Sequence, residues 1–344
     1  MWPARAVEPF VITVENLSKS FPGKKSPVLA LRDVSLEVGA GALYGVVGPA
    51  GSGKSTLARC VALQEKPDRG VVRLDGLNTA GLDGRRLREV RRQVAVLDPT
   101  LHAERTAAGN VAAPLEQLGV DGPQRRTRVG QMLDLLGLTE RAAQLPAELT
   151  TGQRRRVAIG RALAAGPAVL LVDDPTGDLE PEESGAVLTV LDRARAELGV
   201  TVLLTTQDAS VVRRVCDDAA VLDSGRVVEH GTVLDLLVNP ASRVAESLLP
   251  AIDTPAAQAA RYDRSADVVL IGFAAVGALL PEAASRFEVE VATIGGGLTR
   301  VGDTPVARFR IGVRGGQADT ALAWIADRGA HVTHSVEGPK AIAA

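Results

Sequence analysis

The chain has 344 residues, 46% of them hydrophobic and 23% charged, with a formal net charge of -2, a globular balance that excludes a generally basic nucleic-acid binder. At about 150 residues per domain, this length predicts two domains. The only two cysteines, Cys60 and Cys216, have neither metal-ligand spacing nor a disulfide pattern, which fits free thiols in a reducing compartment.

The opening stretch MWPARAVEPFVITVENLSKSF has early acidic residues and no apolar run of signal-peptide length, so a cytoplasmic chain is expected. Residues 10 to 47 alternate in the manner of strands broken by Pro-Gly and Gly-Ala-Gly turns, and STLARCVALQ then reads as a helix. From about 85 to 165 the period is mostly helical, after which AVLLV and TVLLTT return as buried strands. The result is an α/β core with a helical subdomain at about 100–165. We expect one domain over 1–240, a connector rich in alanine and proline over 241–262, and a second domain over 263–344. The second reads strand, helix, strand, strand, helix, strand, the ferredoxin-like α+β order that many unrelated functions share. The uncharged run VVLIGFAAVGALLP at 268–281 is shorter than the roughly 20 residues needed to cross a bilayer.

GPAGSGKST at 48–56 has the phosphate-loop spacing G-x-x-x-x-G-K-[ST] between a predicted strand and helix. Gly48, Pro49, Ala50, Gly51, Ser52 and Gly53 form a loop whose amides can turn toward phosphate oxygens, and Lys54 can reach the β- and γ-phosphates of ATP. Ser55 offers its hydroxyl to Mg²⁺, and Thr56 opens the helix. AVLLVDDPTGDLEP at 168–181 ends a buried strand in two aspartates. Asp173, delivered beside the loop, is the second candidate for the metal side.

LTTGQRRRVAIGRAL at 149–163 precedes that strand and resembles the signature of ABC transporter ATPases, L-S-G-G-Q followed by a basic helix. Within those ATPases the chain is similar to the subunits that energise methionine uptake. The similarity lies in Tyr44, the Cys60-Val61 pair, the turn at Glu65 to Pro67, RTAAGNVAAPLE at 105–116 and the C-terminal unit. The resemblance implies a P-loop NTPase fold whose subunits pair head to tail, with a second copy or a paralogue. Thr150, Thr151, Gly152 and Gln153 of one subunit would then cap the nucleotide of the other. It also implies a transmembrane permease partner, a peripheral place on the cytoplasmic face of the membrane, no nucleic-acid partner, and a NIL-type regulatory domain that takes a methionine-like ligand. Phe21, 33 residues before Lys54, matches the aromatic that stacks on adenine; a strand-end core residue is the other reading.

Several positions depart from the family pattern. Asp174 stands where the family carries a glutamate that orients the attacking water, and its carboxylate falls about 1 to 1.5 Å short by one methylene. Gln207 replaces the switch histidine and cannot become cationic. Asp98 and Pro99 lie where a glutamine is expected in an apparently shortened loop. GDLE at 177–180 replaces S-A-L-D, and Thr151 places a β-branched side chain where glycine is usual. These changes predict MgATP binding with slow turnover, Asp174 and Gln207 being the catalytic candidates. The rival is a nucleotide-binding regulator with little hydrolysis. A soluble ATPase acting on ribosomes or DNA lacks the coiled-coil pattern or basic tail it would need.

Among the remaining features, the five arginines of GRRLREVRR read as a solvated helix face. Arg154 to Arg156 read either as lining the nucleotide interface or as a solvent-facing helix end. Trp324 reads as core, Gly295 to Gly297 as a bulge or a ligand-binding strand region, and His331 with His334 as a poor metal pair.

Overall fold

The structure, a computed structural model, describes residues 10–23, 26–239, 242, 244–249, 252, 260–302 and 304–334. Half of the expected connector lies outside the described residues, as do 1–9 and 335–344. The chain divides into two compact units, with the boundary in sequence between Gly231 and Thr232.

The first unit holds two sheets. β1 (Phe10–Phe21) pairs antiparallel with β2 (Val28–Gly39) and β4 (Arg69–Leu74), and β5 (Leu77–Asn78) completes the order β2-β1-β4-β5. The second sheet runs β10-β9-β3-β8-β7-β6. Its members are β3 (Leu43–Val47), β6 (Val94–Val96), β7 (Val169–Asp173), β8 (Thr201–Thr206), β9 (Asp218–Asp223) and β10 (Arg226–Thr232). β3 pairs parallel with β8 and β9, and β7 with β6 and β8. Every residue of β3 and β8 is buried, the pattern of parallel strands covered on both faces. α1 (Lys54–Val61) sets Leu57 and Val61 into one core with Ile12 and Leu31 of the first sheet and Val46 and Leu203 of the second.

α2 (Gly84–Arg91) starts at Asp83, whose carboxylate accepts from the amides of Arg85 and Arg86, and buries no residue, so its arginines form the solvated face expected. α3 (Ala107–Gln117) and α4 (Gly122–Leu135) are capped by Thr106 and Asp121. α5 (Thr151–Leu163) opens with a reciprocal capping box between Thr150 and Gln153. α6 (Pro181–Leu198) follows β7, and α7 (Ala209–Val215) follows β8. α7 presses so closely on β3 that a Cβ at Gly45 would lie 2.9 Å from Cys216 Sγ and from a Val212 methyl.

The second unit opens with two short helices, α8 (Val233–Val238) and α9 (Ala245–Leu248). Then come β11 (Arg264–Ile271), α10 (Phe273–Val276), α11 (Leu279–Phe287), β12 (Glu290–Val301), β13 (Thr304–Arg314), α12 (Ala318–Asp327) and β14 (His331–His334). Its antiparallel sheet, ordered β12-β13-β11-β14, is the ferredoxin-like arrangement that the sequence order predicts. In the glycine run, the register of β12 against β13 shifts between Thr293 and Gly295. Gly296 has φ +99°, and a Cβ there would meet the Arg308 carbonyl. A bulge explains the run.

Trp324 packs against the core of this unit from its margin, half-buried and edge-on to Phe287 at 6.0 Å, with the Arg328 guanidinium 4.6 Å from its ring centre. Among the described residues no helix is long and apolar enough to cross a membrane.

Candidate functional site

The site grows from the end of the parallel sheet. β3 ends at Val47, and the Gly48 amide donates to the Thr206 carbonyl at 3.3 Å, which ties the start of the loop to the end of β8. On the other side of β8 the Asp174 amide donates to the Thr205 carbonyl at 2.8 Å, and the Thr205 hydroxyl donates to Asp173 Oδ1. The end of one buried strand therefore holds both the loop and the two carboxylates in register. Gln207, exposed, is the next residue of the same strand end.

Gly51 and Gly53 have φ +76° and +109°, so both use the left-handed region that glycine enters freely. At Gly53 space is also exhausted, because a Cβ would lie 2.4 Å from the Ala30 carbonyl. Pro49 and Ala50 form the exposed bend. Lys54 is 8% exposed and folds over the loop, donating to the Gly48 and Pro49 carbonyls at 2.7 and 2.9 Å. Burial pushes its pKa down, while Asp173 and Asp174 oppose that. The Ser52 hydroxyl is buried without a hydrogen-bond partner among the described residues, an orphan in the cradle that an anion would fill.

A cavity of about 260 Å³ opens beside the loop, lined by Gly51, Gly53, Lys54, Ser55 and Thr56. Its other wall comes from residues that sequence reasoning missed: Val28, Leu29, Ala30 and Arg32 of β2, with Ser224 and Gly225 of the β9–β10 turn. The Gly225 amide donates to the Ser52 carbonyl at 2.9 Å, and the Arg32 amide to the Gly225 carbonyl at 2.7 Å. Val28 and Leu29 are exposed apolar side chains on this wall, at 60% and 43%. Phe21 does not line the cavity, but sits opposite Val28 in the strand pair, with Lys19 Nζ 5.2 Å from its ring centre.

Asp174 adopts φ +47°, an uncommon left-handed conformation for a residue with a side chain. Its carboxylate lies against Gly177, where an added Cβ would come within 2.2 Å of Oδ2. Desolvation by the surrounding chain and the neighbouring Asp173 raise its pKa, against Arg155 and Lys54. Asp98, by contrast, turns into its own loop: Oδ1 accepts the Thr100 amide at 2.9 Å, and Arg161 lies alongside.

The residues around 150 stand apart, and none lines the cavity. The Thr150 hydroxyl accepts the Gln153 amide, Gln153 Oε1 accepts the Thr150 amide, and the Thr151 hydroxyl accepts from Arg154. The Gly152 amide donates to Glu183 at 3.2 Å. The arginine triplet is not a solvent-facing helix end, because all three guanidinium groups fold back on their own chain. Arg154 donates to the Leu149 carbonyl, Arg156 to the Leu136 carbonyl, and Arg155 to the carbonyls of Asp174 and Pro175.

Residues 31–177 match the family model described as ABC transporter, and residues 265–334 match the NIL domain. The methionine import ATP-binding protein MetN of Thermobifida fusca is 41% identical over 322 residues, covering 92% of this chain and 98% of that protein. The chain belongs to the methionine import ATP-binding family of ABC transporter proteins. A second member, from Myxococcus xanthus, is 38% identical over 95% of this chain and 100% of that protein. Among solved structures, a dimeric bacterial ABC transporter cassette is similar with TM-score 0.58 and 31% identity, over 64% of this chain and 98% of that one. A cassette from Clostridium perfringens, part of an ABC transporter complex, is similar with TM-score 0.62 and 25% identity, over 67% of this chain and 92% of that one.

Proposed function

We propose that the chain is the ATP-binding subunit that energises an importer of methionine or a related amino acid, working as a head-to-tail pair beneath a transmembrane permease. The observation that carries this reading is the meeting, at one sheet end, of the Gly48–Thr56 loop with Asp173 and Asp174. The amides around Gly51 and Gly53, together with the N-terminus of α1, meet phosphate oxygens, and Lys54 swings from the loop carbonyls to the β- and γ-phosphates. The Ser55 hydroxyl and Asp173 would hold Mg²⁺ arriving with the nucleotide, and the ion would offset phosphate charge there. Two exposed oxygen donors suit an ion that keeps other ligands from water and phosphate. Among the described residues no cluster of three or more His, Cys, Asp or Glu could hold a metal by itself.

Asp174 orients the water that attacks the γ-phosphorus. A new phosphorus–oxygen bond forms, the bond to the β-phosphate oxygen breaks, and ADP and phosphate leave. Gln207 donates a hydrogen bond to the γ-phosphate without adding charge. Thr150 to Gln153 cap the nucleotide of the paired subunit. The NIL domain takes the methionine-like ligand that regulates transport.

Calorimetric titration with ATP and Mg²⁺ should give a saturating heat for the native chain and none for Lys54→Ala, because the loop loses its phosphate-facing charge. Equal affinity in the two would overturn the site. Vesicles that carry the permease with the chain on its luminal side, and that hold ATP inside, should accumulate radiolabelled L-methionine supplied outside. Accumulation unaffected by ATP would overturn the importer reading.

A further inference from the structure

We propose that Arg155 is a positioning residue for ATP hydrolysis, its guanidinium clamping the Asp174–Asp178 loop to the signature helix and so fixing where the Asp174 carboxylate points. The inference rests on the reading of Asp174 given above. Arg155 lies in the second turn of α5 and is 8% exposed. Its Nη1 donates to the Asp174 carbonyl at 3.1 Å and the Pro175 carbonyl at 3.0 Å, and its Nη2 to Asp178 Oδ1 at 2.6 Å. One planar fork thus grips both ends of a five-residue loop, a task that a point charge on a flexible stem performs poorly.

The loop needs such a grip. Asp174 sits at φ +47°, a conformation that persists where its surroundings hold it. On its amide side, the bond to the Thr205 carbonyl fixes it to β8; on its carbonyl side, Arg155 does so. Gly177 supplies the room, since a Cβ there would displace Oδ2. Asp178 matters for the same reason. It stands at the second position of GDLE, where the family's S-A-L-D has alanine, and its carboxylate completes the arginine's contacts. The same helix carries Thr150 to Gln153 in its capping box, so the clamp joins the segment that caps a partner's nucleotide to the carboxylate that acts on this subunit's own.

The test measures ATP turnover and MgATP affinity in full-length Arg155→Met, Arg155→Lys, Asp178→Asn and the Arg155→Met/Asp178→Asn double variant. Arg155→Met should lower kcat by about 10- to 100-fold with affinity within about 2-fold, as a small misplacement of a reacting group does. Asp178→Asn, at a side chain 61% exposed and safe for folding, should lower kcat up to about 5-fold. Lysine should restore part of the loss, and the double variant should be no slower than Arg155→Met alone. Additive losses, unchanged kcat in Arg155→Met, or affinity falling in step with kcat would overturn the proposal. Hydrogen exchange of residues 172–180 reads the clamp without turnover: faster exchange in Arg155→Met supports it, and unchanged exchange overturns it. A native chain no faster than Lys54→Ala would overturn the ATPase reading instead, and the exchange result would still decide the clamp.

Discussion

At the scale of single residues, Asp174 and Gly177 behave as one unit. Because a Cβ at 177 would intrude to 2.2 Å from Asp174 Oδ2, Gly177→Ala forces the carboxylate to turn while leaving the phosphate loop alone. Turnover should fall by about 10-fold with MgATP affinity unchanged, as steady-state kinetics and calorimetry would measure; unchanged turnover would mean that the carboxylate works from another pose. The cysteines give a second residue-scale prediction. Burial raises the Cys60 thiol to about 11 and pushes Cys216 well above its ordinary value. A raised pKa means less thiolate at a given pH, so at pH 8 about one Cys60 in a thousand is ionised. Native protein should resist iodoacetamide at pH 8, and denatured protein should take up two equivalents. Rapid alkylation of the native chain would show that these positions open readily.

At the scale of elements, the loop between β6 and α3 is pinned by one side chain. Asn110, fully buried on α3, accepts the His102 amide and donates to the carbonyls of His102, Arg105 and Thr106. Asn110→Ala strands those groups and should cost about 2 kcal/mol, with the first loss of hydrogen-exchange protection at residues 98–106. Protection unchanged there would place the restraint elsewhere.

The same comparison of elements shows what the sequence makes legible. The phosphate loop, β7 and the βαββαβ order of the second unit are written in contiguous residues, where glycine spacing and apolar runs suffice. The wall of the cavity is not, because Val28, Leu29 and Ser224 reach it only through the register of β1 with β2 and the contact of Gly225 with Ser52. Arg155 is misread for a related reason: a basic run beside a signature reads as surface, and its partners lie about 20 residues downstream, brought close only by the packing of α5 on the loop after β7. The left-handed backbone of Asp174 likewise has no glycine to mark it in the sequence.

At the scale of the molecule, membership in the methionine import family meets a set of departures gathered at one step of the cycle. On the proposed function, the loop, Lys54 and Asp173 would keep what nucleotide binding needs, whereas Asp174 and Gln207 would weaken water orientation and charge stabilisation. The account is therefore of a subunit that binds MgATP well and turns it over slowly, with positioning of the carboxylate as the limiting defect. Steady-state ATPase of full-length Asp174→Glu, beside the native chain and with MgATP affinity measured on both, tests this most directly. The longer side chain should raise kcat by about 10-fold or more at unchanged affinity, since a well-placed base supplies around 100- to 10,000-fold. A native chain already turning over at about 1 per second or faster, with Asp174→Glu flat or slower, would contradict the account and show a site adapted to aspartate.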